Sequence, residues 1–341
     1  MAAYGLYTQI ASNKIRSRVL LAGMFLLVYL FVFAGALLAE VQLDGRQMVG
    51  FYLRAAGGDL LHALPVATLA GAIWMAIAYR FNQAIIDTVT GGRDVTRQEQ
   101  PRLYNLLENL CISRGIPMPK LKIIDTASLN AFASGLNPQQ YSVTVTSGLL
   151  DRLDDAEIEA VLGHELTHIR NGDVRLMVIA GIIAGIIGFF AELAFRLFFR
   201  PGRSSSRGGG KNGSAALVFI IALVLIALAW LVSMLIRFAL SRSREFLADA
   251  GAVELTKNPD AMISALRKIE SRSELEGATS AVMEMCIDNP RQGFTNLFAT
   301  HPSVQDRIQA LVKLAGGRDP GPILTLADTG TSPSHDVGLN T

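Results

Sequence analysis

The chain has 341 residues, 50% of them hydrophobic and only 18% charged, with a net charge of +2. Soluble domains of this size are usually about 25% charged, so the deficit points to lipid contact. So small a net charge, without a basic face carrying interleaved aromatics, argues against nucleic acid as a partner. Cys111 and Cys286 make neither a disulfide framework nor a CxxC pair, which fits a reducing compartment or simple indifference to redox state.

Two uncharged apolar runs come first, Val19–Ala39 with 21 residues and Leu60–Tyr79 with 20. As helices both are long enough to cross a hydrocarbon core of about 30 Å. The first run is too long for a cleaved signal and reads as an anchor. Lys14, Arg16 and Arg18 precede it, and Arg80, Arg93 and Arg97 follow the second run, whereas the intervening loop 40–59 is balanced in charge. The positive-inside rule therefore places the N-terminus and the chain after Tyr79 in the cytoplasm. Residues 1–91 read as a membrane anchor with spans at 19–39 and 60–79.

Residues 92–175 read as the first part of a soluble domain. Leu103, Leu106, Leu107 and Leu110 give Pro101–Arg114 an amphipathic helix, stopped by Gly115–Pro119. Leu121–Ile124 and Tyr141–Thr146 have the pattern of short strands. Asp154 is placed to cap a helix, with Glu157 as its capping-box partner, and Asn171-Gly172 to end it. On that helix lies HELTH, His164–His168. Residues four apart share one helix face, so both imidazoles reach a single ion while Glu165 stands beside it. Two neutral imidazoles plus a carboxylate suit zinc, with the fourth position left to water.

Two more apolar runs follow, Leu176–Ala191 with 16 residues and Ala215–Ile236 with 22. Gly181, Gly185 and Gly188 give the third run a face suited to close helix packing. Between the runs, Pro201–Gly213 is basic; its GGGK is no phosphate loop, since Ser205 and Asn212 stand where Gly and Ser or Thr are needed. Residues 176–236 read as a helical hairpin, because the chain must return to complete one site. Full crossing is favoured, although the third run is short and the connecting loop is basic.

The second part of the domain, 237–316, supplies Glu245 and Asp249, again four apart. Glu245 suits a third ligand and Asp249 an acceptor for the far N–H of a ligand histidine. On spacing alone, an ordinary solvated helix whose acids balance Arg242 and Arg244 explains them equally well. Residues 317–341 are rich in Gly, Pro, Ser, Thr and Asp and read as a disordered tail.

An ordered set of motifs from about Asn13 to Arg307 resembles the HtpX-type heat-shock membrane proteases, relatives of the zinc CAAX prenyl proteases. These are TGGRDVTRQEQPRLYNLLENLCISRGIPMPKL, LNAFASG, GHELTHIRNGD, SREFLADA and HPSVQDRI. The resemblance implies one zinc per chain held by His164, His168 and Glu245, with Glu165 as catalytic base and Asp249 behind the ligands. It also makes His301 a candidate oxyanion donor, where a histidine before proline is as often structural, and Asn130, Ala131 and Phe132 an edge that binds extended substrate as an added strand, the alternative being an ordinary hairpin connection. The fold it implies is a mainly α integral membrane protein. Four apolar helices would carry one cytoplasmic α+β zincin-like metalloprotease domain with a small edge-strand sheet.

The expected function is that of a zinc metalloendopeptidase in the cell membrane, cutting misfolded or unassembled membrane proteins and itself. Its partners would be polypeptide substrates and the lipid bilayer; a homo-oligomer is compatible with the sequence. The alternatives are a processing protease with one defined substrate, like the CAAX enzymes, and a four-helix scaffold or transporter. A transporter calls for ionisable residues within the spans, and only His62, near one end of a run, answers.

Overall fold

The computed structural model describes residues 2–43, 46–183, 185, 213–239, 242–270, 272–283, 285–290 and 302–321. Helices α1 (Ala2–Leu43) and α2 (Val49–Thr90) have 42 residues each. At 1.5 Å per residue each is about 63 Å long, twice the hydrocarbon core. The loop expected over 40–59 is thus mostly helix. An apolar run measures the part of a helix that lipid can cover, and charged residues such as Glu40 and Arg54 do not stop a helix from propagating beyond it. Gly91, at φ 72°, ends α2 in the left-handed conformation that glycine adopts freely. Tyr29 of α1 hydrogen-bonds Thr68 of α2 (2.8 Å), and α1 also lies against α7 (Gly213–Ala239).

Among the described residues, Arg18–Leu43 and Val49–Thr90 are long and apolar enough to cross a membrane. The third apolar run falls on helix α6, described over 173–183 and at 185. The fourth falls on α7, where Ala216–Leu228 is a shorter apolar stretch. The basic loop 201–212 and the tail from 322 lie outside the described residues.

The soluble part is built on a four-stranded sheet: β1 (Arg93–Asp94), β2 (Lys120–Ile124), β3 (Ala131–Ser134) and β4 (Ser142–Thr146). Their order is β1-β2-β4-β3, with β2 and β4 parallel and the outer strands antiparallel to their neighbours. Strand β3 is therefore an edge. Helix α3 (Pro101–Arg114) buries Leu103, Leu107 and Leu110, and α4 (Ser147–Arg152) follows β4. Central to the domain is α5 (Asp155–Asn171), which contacts β3, β4, α3, α8 (Arg242–Thr256) and α9 (Pro259–Ile269). The short α10 (Ser280–Met283) and α11 (Val304–Ala315) complete it.

Beyond its apolar section, α2 is clamped to this sheet. Its Gln83 side chain meets Ser134 Oγ at 2.9 Å, Tyr79 Oη accepts from Asn137 Nδ2 at 2.7 Å, and Asp87 pairs with the buried Lys122 of β2. The membrane-capable helix is therefore hydrogen-bonded to the end of the edge strand.

Candidate metal centre and active site

Helix α5 begins with the capping box read from the sequence. Asp154 Oδ1 accepts from Glu157 N at 2.9 Å, and Glu157 Oε2 accepts from Asp154 N at 2.8 Å. Two orphan amides are satisfied this way. Gly172, at φ 73°, turns the chain off the other end, so the helix carries His164 and His168 one turn apart on a face without solvent.

Helix α8 crosses α5 closely because the facing residues are small. Ala248 and Ala252 are fully buried, and a Cβ added at Gly251 would stand 2.3 Å from Thr167 Cγ2. That approach brings Glu245 to the histidines. His164 Nε2 and His168 Nε2 are 3.1 Å apart, and the Glu245 oxygens lie 3.5 and 3.7 Å from them. Two donors each about 2.1 Å from one tetrahedral ion stand about 3.4 Å apart, close to these three spacings.

The far ring nitrogens are held as well. His164 Nδ1 is 2.9 Å from Asp249 Oδ1, and His168 Nδ1 is 3.1 Å from Asp173 Oδ2. Each carboxylate fixes its ring so that Nε2 points inward. Arg307 grips Asp249 with two hydrogen bonds, Nη2 to Oδ1 at 2.6 Å and Nε to Oδ2 at 2.8 Å. Its Nη1 donates to the Ile287 carbonyl at 2.6 Å.

Burial depresses the His164 imidazole, but its bonds to Asp249 and Glu245 leave it above its ordinary pKa. Burial likewise opposes His168, yet the Glu245 charge and the Asp173 bond raise it to about 10. Burial would raise Asp249; the Arg307 guanidinium overcomes this and holds it below the usual carboxylate range. Glu165 is pushed up by burial, against the pull of the two histidines. It is 0% exposed, and neither carboxylate oxygen has a hydrogen-bond partner among the described residues. An orphaned buried carboxylate is costly unless a missing group satisfies it. A water held by a metal at the adjacent nitrogens would do so.

The structure thus brings together His164, His168, Glu165, Glu245 and Asp249. His301 lies outside the described residues. Asn130 is fully buried and serves the main chain: Nδ2 donates to Ser273 O (2.6 Å) and Asp288 O (3.2 Å), while Oδ1 accepts from Ala131 N (2.9 Å). Ala131 and Phe132 lie on the edge strand, but the chain's own Cys286 bridges to Phe132 and Ile287 N donates to Ala131 O at 2.9 Å. In this register Met285 stands opposite Ala133, and its own N–H turns back to Val282 O (2.9 Å). Ala133, two residues beyond Ala131, points its main chain the same way. Its N–H approaches Glu165 without closing a hydrogen bond.

Asp173 and Arg307 are the members of this cluster that sequence reasoning missed. For Arg307 a signal existed: it falls on the same face of α11 as the buried Val304, Ile308 and Leu311. A charge within an apolar stripe must have a buried partner.

The sequence profile of peptidase family M48 matches residues 97–315. A protein described as Protease HtpX homolog from Bacteroides fragilis is 40% identical over 323 residues, covering 91% of this chain and 99% of its own. Proteins of the same description from Streptococcus pneumoniae and Listeria monocytogenes are 37% identical over 320 residues and 35% over 317. They cover 91% and 90% of this chain and 100% and 99% of their own. The crystal structure of S. mikatae Ste24p matches with a TM-score of 0.45 at 19% identity, covering 89% of this chain and 66% of that one. The family match and these relatives, spanning nearly their full length, show that the chain belongs to peptidase family M48 as a membrane-anchored metalloprotease of the HtpX type.

Proposed function

We propose that the protein is a zinc-dependent endopeptidase holding one zinc per chain through His164, His168 and Glu245, with Glu165 as its general base. The observation that carries this reading is Glu165 itself: a buried, unpartnered carboxylate beside three converging ligand atoms. Bound zinc would polarise the scissile carbonyl and lower the pKa of a coordinated water toward about 7. Glu165 takes the proton of the attacking water and delivers it to the leaving amine. Asp249 and Asp173 keep the imidazoles in the tautomer whose Nε2 lone pairs face inward. Arg307 keeps Asp249 ionised for that task.

An extended substrate is assigned to Asn130, Ala131 and Phe132 on the motif resemblance; Cys286 pairs with Phe132 there, so a substrate strand would have to displace it. His301 is assigned to the oxyanion on the motif resemblance alone. The substrate class is unfolded or unassembled membrane polypeptide, with self-cleavage, and the catalytic part faces the cytoplasm. The charge bias around the first two spans supports that orientation.

The test is zinc analysis of the purified full chain together with casein digestion in the presence and absence of phenanthroline. One zinc per chain and chelator-sensitive digestion are expected. Undiminished digestion in excess chelator would remove the metal from the reaction.

A further inference from the structure

The groups assigned to the chemistry are sealed from solvent. His164 and Glu165 are 0% exposed, Glu245 1% and His168 3%. A scissile peptide bond has to come within reach of Glu165, directly or through the attacking water. Some covering segment must therefore move before any polypeptide is cut, whatever path the polypeptide takes.

Among the described residues, Met285–Asp288 is main chain that lies over this side of the site. It crosses the β3 edge, with Cys286 bridged to Phe132 and Met285 opposite Ala133, whose N–H approaches Glu165. The ladder bond that fastens it runs from Ile287 N to Ala131 O, 2.9 Å. Three further bonds come from side chains. Arg307 Nη1 donates to Ile287 O (2.6 Å), Asn130 Nδ2 to Asp288 O (3.2 Å) and Ser273 Oγ to Asp288 Oδ2 (2.5 Å).

The sheet does not depend on this segment. On its other side β3 is paired with β4 at all four of its positions, Ala131 to Ser134. Release of the short outer pairing would leave that ladder complete. The ligand cluster, by contrast, is linked to the segment through one guanidinium: Arg307 holds Ile287 O and also Asp249, which stands behind His164.

We propose that Met285–Asp288 is an autoinhibitory strap, which closes the site in the resting protein and leaves the β3 edge before a polypeptide reaches Glu165. This concerns the regulation of the endopeptidase site and rests on that reading. The strap adds a conformational step to every encounter, so apparent affinity for substrate is lowered by the fraction of chains in which it is open.

Cys286 provides the test. The Ile287–Ala131 bond makes Phe132 and Cys286 a non-hydrogen-bonded antiparallel pair, whose Cα atoms stand about 4.5 Å apart. That separation is within the range of a disulfide. Phe132→Cys, in a full chain carrying Cys111→Ser, therefore allows a crosslink between strap and edge to be made and broken. One preparation is assayed oxidised and reduced, so the loss of the Phe132 ring is common to both. The oxidised form is expected to cut casein at least tenfold more slowly than the reduced form, with one zinc per chain in each. Equal turnover with the disulfide verified by mass, or a loss of turnover matched by a loss of zinc, overturns the proposal and leaves the peptidase reading standing. Failure of the native chain to cut casein condemns the peptidase reading instead.

Should Phe132→Cys misfold, or be inactive when reduced, the rate at which buried Cys286 is modified gives an independent answer. Zinc-loaded chain carrying Cys111→Ser and Glu165→Gln holds a cysteine-free casein without cutting it. A maleimide should then modify Cys286 at least tenfold faster with the casein present than without it. An unchanged rate overturns the proposal.

Discussion

Arg307 and Asp249 form a doubly hydrogen-bonded ion pair, 2.6 and 2.8 Å, with side chains 1% and 2% exposed. The pair bears on the metal through Asp249, which faces His164 Nδ1 at 2.9 Å. Arg307→Met fills the space but leaves the buried Asp249 carboxylate without its cationic partner, a loss of about 3–5 kcal/mol. Zinc affinity should fall by about 10- to 100-fold, as when a partner behind a ligand is removed. Arg307→Lys keeps the charge without the planar fork, so it should recover stability better than metal affinity. Denaturant unfolding and a competitive zinc titration measure the two effects; unchanged affinity in Arg307→Met would uncouple the pair from the metal.

The crossing of α5 and α8 sets the distance from Glu245 to the histidines. Gly251→Ala puts a methyl 2.3 Å from Thr167 Cγ2, so the helices must part. The three ligand atoms then separate, and zinc occupancy should drop more than helical content measured by circular dichroism. Thr167→Ala in the same chain should restore part of the occupancy. Full occupancy in Gly251→Ala alone would mean that the crossing does not govern the site.

The parts of this site that were legible in the sequence are those governed by short-range rules. Spacing of four put His164 and His168 on one face, and Asp154 with Glu157 announced the helix start three residues apart. Asp173 escaped because its direction depends on the left-handed turn at Gly172, which spacing does not encode. Arg307 escaped because its partner is 58 residues away on another helix. The pairing of Cys286 with Phe132 spans 154 positions, and no local pattern distinguishes an edge covered by its own chain from one open to substrate. The apolar runs located the membrane helices but not their ends, since hydrophobicity stops where lipid stops.

The metal-free site should respond to pH through His168. Its folded pKa is raised to about 10 from an ordinary 6.5, so the folded chain holds a proton that the unfolded chain releases earlier. That contribution to stability is complete below about 6.5 and is lost as pH rises through the folded value. Melting temperatures of chelator-treated protein should therefore decline between pH 7 and 10 on this account. Zinc must displace the same proton, so apparent zinc affinity should rise over that interval. A melting temperature that climbs with pH would contradict the raised value.

Membrane topology can be read with a single cysteine at Ser205, in a chain whose buried Cys111 and Cys286 are replaced. Labelling of intact cells by an impermeant maleimide is expected if the hairpin 176–236 crosses the bilayer. Labelling only after the inner face is exposed would place the loop on the cytoplasmic side.

Most directly, the account rests on Glu165 acting as base at a metal that it does not hold. Glu165→Gln preserves the shape of the side chain but cannot accept the water's proton. The purified variant should carry one zinc per chain, as the native protein does, while its turnover of unfolded casein falls by about 10²–10⁴-fold. Glu245→Ala, measured alongside, should lose the zinc itself. Near-native turnover by Glu165→Gln with zinc in place would contradict the mechanism.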